Sequence, residues 1–244
     1  MSRPLVIAHR GASGERPENT LSAYQLALDQ RADMIEIDLH LSLDGIIMIR
    51  HDANLARLGG SGEIRDHSAA ELAKLNAAPG AALEERMPTL VDVLEGFGDR
   101  VEFNLEIKVG EAASYEGIEE IALAMVEERG LISKMLFSSF HDPVLARLRR
   151  LSSAARLAVL ISPRAPAQML ERAKAVAAEA INPSIRLVDA ELVARAHTSG
   201  LKVYPYTADD PRELRRLLEA GVDGIFTNHP RRLRSLLEER EKRP

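Results

Sequence analysis

With 244 residues, 45% hydrophobic and 28% charged, the chain can bury a large core, so neither disulfides nor a structural metal is needed for stability. The net charge of −5, with acidic and basic residues interspersed, excludes the clustered basic face of a general nucleic-acid binder but not a small anionic substrate in a locally basic pocket. The absence of cysteine excludes disulfides, thiolate metal sites and a cysteine nucleophile.

The chain opens with Met1-Ser2-Arg3-Pro4 and runs straight into a short apolar stretch, too short for a signal-peptide core. No run approaches the roughly 18 apolar residues that span a membrane, so no membrane span and a cytoplasmic location are expected. Strand-like runs then recur at 5–8, 34–41, 46–50, 101–107, 135–139, 157–161, 179–182, 202–206 and 223–227. Helical patterns fall between most of them. The first spans 20–30, capped by Asn19 or Thr20, and the second 89–97, opened by Pro88-Thr89. Others follow at 115–129, 142–151 (capped by Asp142, with Pro143 in the first turn), 165–178, 189–199, 211–220 and 230–242.

Strand alternating with helix to the end of the chain predicts a parallel sheet. Nine strands are one too many for an eight-stranded barrel. The gap before 46–50 resolves the excess. A parallel crossover needs roughly a dozen residues, whereas only Ser42-Leu43-Asp44-Gly45 intervenes, and Asp-Gly is a hairpin signal. The run 46–50 is therefore expected to return antiparallel beside 34–41, carrying His51 and Asp52 back to the level of Glu36. Residues 53–86 break the alternation with Gly59-Gly60-Ser61-Gly62, a short helix near 68–76 and Pro79-Gly80. A segment this long reads as a functional insertion or lid, or as a mobile surface excursion. Residues 1–244 are expected to form one catalytic α/β barrel of about the usual length, with 53–86 as a small insertion within it.

Charged and titratable residues gather where the apolar runs end. Glu36 and Asp38 are two apart on a strand, so both point to one face, and their apolar neighbours suggest burial. Buried together they would raise each other's pKa unless a cation neutralised them. Glu106 ends another strand. Three such carboxylates make a hard, all-oxygen site that suits Mg2+ or Ca2+ better than zinc or copper. His9 and His51, also at strand ends, can serve as a general acid and general base pair. His40 shares the face of Glu36 and Asp38, either as an additional ligand or above the site near the hairpin tip. His67, His141, His197 and His229 read as structural or solvated. Arg10 and Lys108 supply the positive charge an anionic substrate requires, and Arg10 can hold phosphate oxygens bidentately. A Schiff-base role for Lys108 is disfavoured, because Glu106 on the same face holds its amine protonated.

The chain also resembles a family. AHRGASGERPENTLSAYQLAL is similar to the opening signature of the glycerophosphodiester phosphodiesterases. The likeness continues in order through IEIDLHLSLDGIIMIRHDANLARL, GGSGEIRDHSAAEL, MPTLVDVL, FNLEIK, LFSSFHD and GVDGIFTNHP. It implies an irregular TIM (β/α)8 barrel that cleaves a small-molecule glycerophosphodiester into glycerol 3-phosphate and an alcohol. His9 and His51 match the acid–base pair. Glu36, Asp38 and Glu106 match the ligands of one divalent cation. Arg10 and Lys108 match positions that hold the phosphate, and Asn19 matches a polar residue near the site. Two departures stand out: Tyr206 precedes Thr207 where the family usually has Trp, and Asn228 follows Thr227 where it usually has Asp. Tyr206 is read as an aromatic substrate-binding wall with an added hydroxyl. Neither departure is expected to touch the metal ligands or the histidines. A lysophospholipase D-type activity and a non-catalytic phosphodiester-binding barrel are the alternative readings. The Arg- and Glu-rich C-terminal helix gives no interface signal and leaves the oligomeric state open.

Overall fold

Side-chain alternation along the strands sorts the core into two layers. The computed structural model describes residues 3–82, 84–111 and 113–242. Its strands are β1 (Leu5–His9), β2 (Met34–Leu41), β3 (Ile47–Ile49), β4 (Glu102–Ile107), β5 (Met135–Ser139), β6 (Arg156–Ile161), β7 (Ala180–Pro183), β8 (Lys202–Val203) and β9 (Gly224–Thr227). One set of alternate residues, including Ile7, Met34, Leu136, Ala158, Ala180, Tyr204 and Phe226, packs into an inner cluster. The other set, including Val6, Ala8, Ile35, Ile37, Phe103, Leu105, Phe137, Val159 and Ile225, packs outward into a larger core with the helices. Successive side chains point to opposite faces, so the residue two further along each strand also points inward. Two steps on from the inner apolar layer come His9, Glu36, Ser138, Asn182 and Asn228. The barrel is thus apolar at its base and polar where the strands end, which is where barrels of this kind carry their sites.

Among the described residues, eight parallel strands follow the order β8-β7-β6-β5-β4-β2-β1-β9, and β3 hangs off β2. Backbone bonds Ala208 N–H to Phe226 O (2.9 Å) and Phe226 N–H to Pro205 O (3.0 Å) close the gap between the ends of that path. This is the irregular TIM barrel expected. As the Asp44-Gly45 turn predicts, β3 runs antiparallel to β2, with Leu39 opposite Ile49.

The helices are α1 (Leu21–Asp29), α2 (Ala69–Leu72), α3 (Leu90–Phe97), α4 (Ile118–Glu128), α5 (Asp142–Leu151), α6 (Met169–Ala175), α7 (Ala190–Thr198), α8 (Pro211–Ala220) and α9 (Pro230–Glu241). Thr20 is the cap of α1 and accepts from Ala23 N–H; Thr89 and Asp92 form a reciprocal capping box on α3. Several expected elements are shorter than the sequence pattern, among them the helix near 68–76, which is only Ala69–Leu72. The eighth strand keeps only Lys202–Val203 as regular ladder, although Tyr204 and Tyr206 still donate their N–H groups to Ile181 O and Pro183 O of β7. Helix α6 starts only at Met169, after Pro163 and Pro166 and a left-handed Gln168 (φ 54°). Helix α4 starts after Gly117 at φ 82°. No helix among the described residues is long and apolar enough to cross a membrane.

Within 53–86, Leu55, Ile64 and Leu72 pack with Met48 and Met87 into a separate small core. Strand β3 therefore faces two cores. Ile47 and Ile49 belong to the barrel's outer layer, while Met48 between them belongs to the small core.

Candidate active site

Strands β1, β2 and β4 are neighbours, and their register sets the site. His9 pairs with Glu36 across β1 and β2, and Asp38 pairs with Glu106 across β2 and β4. All three carboxylates are buried, at 2%, 1% and 9% exposure for Glu36, Asp38 and Glu106. One oxygen from each lies within 4.8 Å of the others.

Two cations lie against this cluster. Lys108 Nζ stands 2.9 Å from Glu106 Oε1 and 3.3 Å from Asp38 Oδ1. Arg10 reaches Asp38 Oδ2 with Nε at 3.2 Å and Glu18 with Nη1 at 2.8 Å. Its backbone is left-handed (φ 56°), and its N–H donates to Glu36 Oε2 at 3.0 Å. Gly11 (φ +84°) completes this turn; a Cβ there would come within 2.7 Å of Ala23 Cβ on α1. Asn19 Nδ2 donates to Asp38 Oδ2 at 2.8 Å, and Tyr24 O–H donates to Asn19 Oδ1 at 3.2 Å, which fixes the amide's orientation.

The electrostatics divide the three acids. Burial, reinforced by Asp38 and Glu106, pushes the Glu36 carboxyl well above the ordinary range. Burial also dominates at Glu106 and raises it against the pull of Lys108. At Asp38 burial is outweighed by Lys108 and Arg10, which hold the carboxyl well below its usual value. Burial would lower the Lys108 amine, yet Asp38 and Glu106 overcome it and raise it, so this lysine stays charged. That agrees with the reading against a Schiff-base amine.

The donor set fits a metal ion. Glu36 Oε1 and Asp38 Oδ1 are buried and accept no hydrogen bond from the protein. Asp38 Oδ1 has the Lys108 ammonium at 3.3 Å, whereas Glu36 Oε1 has no partner, and a buried carboxylate oxygen left so is costly unless a cation meets it. Glu36, Asp38 and Glu106 could hold it.

Both candidate histidines reach this cluster's edge. His9 Nε2 lies 3.9 Å from Glu36 Oε2. Burial first and Arg10 second lower the His9 imidazole to about 4. His51, brought back by the β2–β3 hairpin, has Nδ1 2.7 Å from Asp52 Oδ1. His9, Arg10, Glu36, His51, Glu106 and Lys108 open on one cavity of ≈ 110 Å³. Asn104, Phe140, Leu160, Tyr206 and Phe226 complete its lining. Tyr206 spends its hydroxyl proton on Ile161 O (3.0 Å) and meets Phe140 edge-to-face, so its ring is the surface it presents.

His40 is not a ligand. Its Nε2 lies 3.1 Å from the His51 carbonyl, which can only accept, so Nε2 carries the proton and Nδ1 accepts from Tyr115 O–H at 2.7 Å. Both nitrogens are committed, and burial holds this ring neutral, at about 4. It supports the loop that bears His51. His67 bonds the Ser61 carbonyl, and His197 pairs with Asp223 on the surface.

The expectation that Asn228 touches no histidine is overturned. Asn228 Oδ1 lies 2.8 Å from His9 Nδ1. Because β9 pairs with β1, with Ala8 opposite Thr227, the next residue on each strand is brought together at the barrel's seam. Ser13 Oγ lies 2.8 Å from the same Oδ1, and Asp209 grips Asn228 from behind. Asp52, Asn228 and Asp209 were not singled out from the sequence as site residues. Barrel closure was the available signal for Asn228, since it makes the last strand a neighbour of the first.

Comparison with known proteins bears on all of this. The model of the glycerophosphoryl diester phosphodiesterase family matches residues 9–232. A glycerophosphodiester phosphodiesterase of Bacillus subtilis is 33% identical over 250 residues, covering 93% of this chain and 84% of that protein. One from Caldanaerobacter subterraneus is also 33% identical, covering 96% and 98%. The structure of an Oleispira antarctica phosphodiesterase in complex with the product sn-glycerol-3-phosphate superimposes with a TM-score of 0.84. It is 32% identical and covers 96% of this chain and 97% of its own.

Proposed function

The chain belongs to the glycerophosphoryl diester phosphodiesterase family, and from that premise we propose that it hydrolyses a glycerophosphodiester to glycerol 3-phosphate and an alcohol. The observation that carries this reading is the convergence of two cations, two histidines and the carboxylates of Glu36 and Glu106 on one cavity, with the buried Asp38 clustered against them. The residues 1–244 act together as one catalytic barrel, with 53–86 as an insertion within it.

Glu36, Asp38 and Glu106 hold one divalent cation, Mg2+ or Ca2+, in keeping with their hard oxygen donors. When bound, it supplies Lewis-acid stabilisation of the charge that develops on the phosphoryl oxygens. Arg10 and Lys108 attract the anionic diester and orient it, and their fixed positions against Asp38 make that orientation preorganised. Asn19 holds Asp38 in place. One histidine takes a proton from the attacking oxygen, and the other delivers a proton to the departing alkoxide. The overall exchange is balanced: water is consumed, the P–O bond to the alcohol breaks, and a phosphomonoester and a free alcohol leave. Phe140 and Tyr206 face the alcohol group.

Release of the head-group alcohol, measured on glycerophosphocholine, glycerophosphoethanolamine and a lysophospholipid with Mg2+ or Ca2+, tests this, with glycerol 3-phosphate measured alongside for the two water-soluble diesters. Release from the two water-soluble diesters is expected. Faster turnover of the lysophospholipid would replace the reading with a lysophospholipase D. Binding without release from any substrate would replace it with a sensor.

A further inference from the structure

His9 does not choose its tautomer alone. Its Nδ1 faces the side-chain amide of Asn228, and an amide offers either an acceptor or a donor depending on how it is turned. Asp209 removes the choice. Its carboxylate accepts the Asn228 backbone N–H at Oδ1 (2.8 Å) and the Thr227 hydroxyl at the same oxygen (3.0 Å). Its other oxygen lies 2.7 Å from Asn228 Nδ2. An ionised carboxylate only accepts, so the NH2 end of Asn228 must face Asp209. The oxygen end then faces His9 at 2.8 Å, where it in turn only accepts.

We propose that Asp209 is a positioning residue for the reaction: through Asn228 it fixes His9 with the proton on Nδ1 and leaves Nε2 as the nitrogen that exchanges protons in the cavity. The inference rests on the proposed phosphodiesterase activity for its kinetic arm alone. Asp209 lies 2.7 Å from Asn228 and does not line the cavity that His9 opens on. Its carboxylate stands to His9 as a lock stands to a bolt. The neutral Asn228 relays direction and not charge, so the imidazole keeps a defined orientation without a carboxylate beside it. Ser13 Oγ lies 2.7 Å from the His9 carbonyl and 2.8 Å from Asn228 Oδ1, and its single proton serves one of these two acceptors at a time.

Asp209→Asn puts this to the test. The oxygen of the introduced amide can still accept from Asn228 N–H and Thr227, but its NH2 then faces the Asn228 side chain. The Asn228 amide is expected to turn over and present its NH2 to His9 Nδ1. The 15N signals of His9, assigned by their loss in His9→Gln, should change from the Nδ1–H to the Nε2–H pattern. Turnover (kcat) on glycerophosphocholine should fall ~10²-fold, the scale of lost acid–base catalysis, with KM close to wild type. The exchanged pair Asp209→Asn with Asn228→Asp restores an acceptor opposite Nδ1. It should recover the Nδ1–H pattern and at least ~10-fold of the lost rate. A wild-type His9 in the Nε2–H form overturns the proposal. So does an Asp209→Asn protein with unchanged His9 signals and a rate within about threefold of wild type. Should the single variant fail to fold, the exchanged pair decides by its His9 signals, since loss of the Nδ1–H pattern there contradicts the relay. A wild-type protein without phosphodiesterase activity would sink the proposed function, and the 15N arms would still judge the relay.

Discussion

The two halves of the barrel rim do different chemistry with the same strand geometry. The half built by β1, β2, β3 and β4 carries His9, Arg10, Glu36, Asp38, His51, Glu106 and Lys108. The half built by β5 to β8 contributes Phe140, Leu160 and Tyr206, with no charged group on the cavity. Charge buried beside charge needs partners of fixed geometry, and the adjacent registers of β1, β2 and β4 provide them. An aromatic wall needs only shape. The expectation is that the first half sets whether the bond breaks and the second sets which alcohol leaves.

Four experiments would break or sharpen that division, and the largest effect belongs to the cation. Exhaustive chelation should bring turnover to background, and added Mg2+ or Ca2+ should restore it; full activity after chelation would remove Glu36, Asp38 and Glu106 from the role proposed for them. Next come the histidines. His9→Ala and His51→Ala should each cost at least ~10²-fold in kcat while thermal unfolding stays close to wild type. Near-normal turnover in either variant would retire that histidine. On the opposite half, Tyr206→Phe removes one hydrogen bond to Ile161, worth about 1 kcal/mol. Because the ring is kept, it should leave glycerophosphocholine turnover within ~10-fold and the ratio between choline and ethanolamine substrates unchanged, whereas Tyr206→Leu, which removes the ring, should shift that ratio. A loss as deep as that of the histidine variants would show that the wall takes part in bond cleavage.

The smallest effect lies at the outer edge of the charged half. Hydrogen bonds from Ser42 Oγ–H and then from Ala69 N–H lower the Asp44 carboxyl below its usual value. Its pKa is therefore lower folded than unfolded. The stability it contributes is complete above the unfolded value and is lost as pH falls through the folded one. Asp44→Asn should thus lower the urea midpoint slightly near pH 6, and the difference from wild type should shrink toward pH 3. A difference that persists unchanged at acid pH would assign the effect to the turn and not to the charge.

Much of the charged half was legible in the sequence, because its parts are short-range. Glu36 and Asp38 share a strand, Arg10 follows His9, and Asp44-Gly45 announces the hairpin that returns His51. Both readings of Lys108 could be weighed from Glu106 two residues away. What escaped depends on contacts between distant segments. Asn228 meets His9 only because the barrel closes, and Asp209 precedes Asp210, whose cap on α8 is the more conventional use of an aspartate at that place. His40 lies on the ligand face by parity, yet Tyr115, far along the chain, claims its Nδ1.

The short strand β3, wedged between the barrel's outer layer and the small core of 53–86, has a consequence for anyone who would rebuild this enzyme. Its side chains alternate between two hydrophobic masses, and His51 follows two residues after it. Replacing 53–86 with a short linker would strip Met48 of Leu55, Ile64 and Leu72 and leave the stem of His51 seated on one side only. Grafts that exchange this segment between relatives should therefore carry β3 with them, since the insertion and the histidine travel as one part.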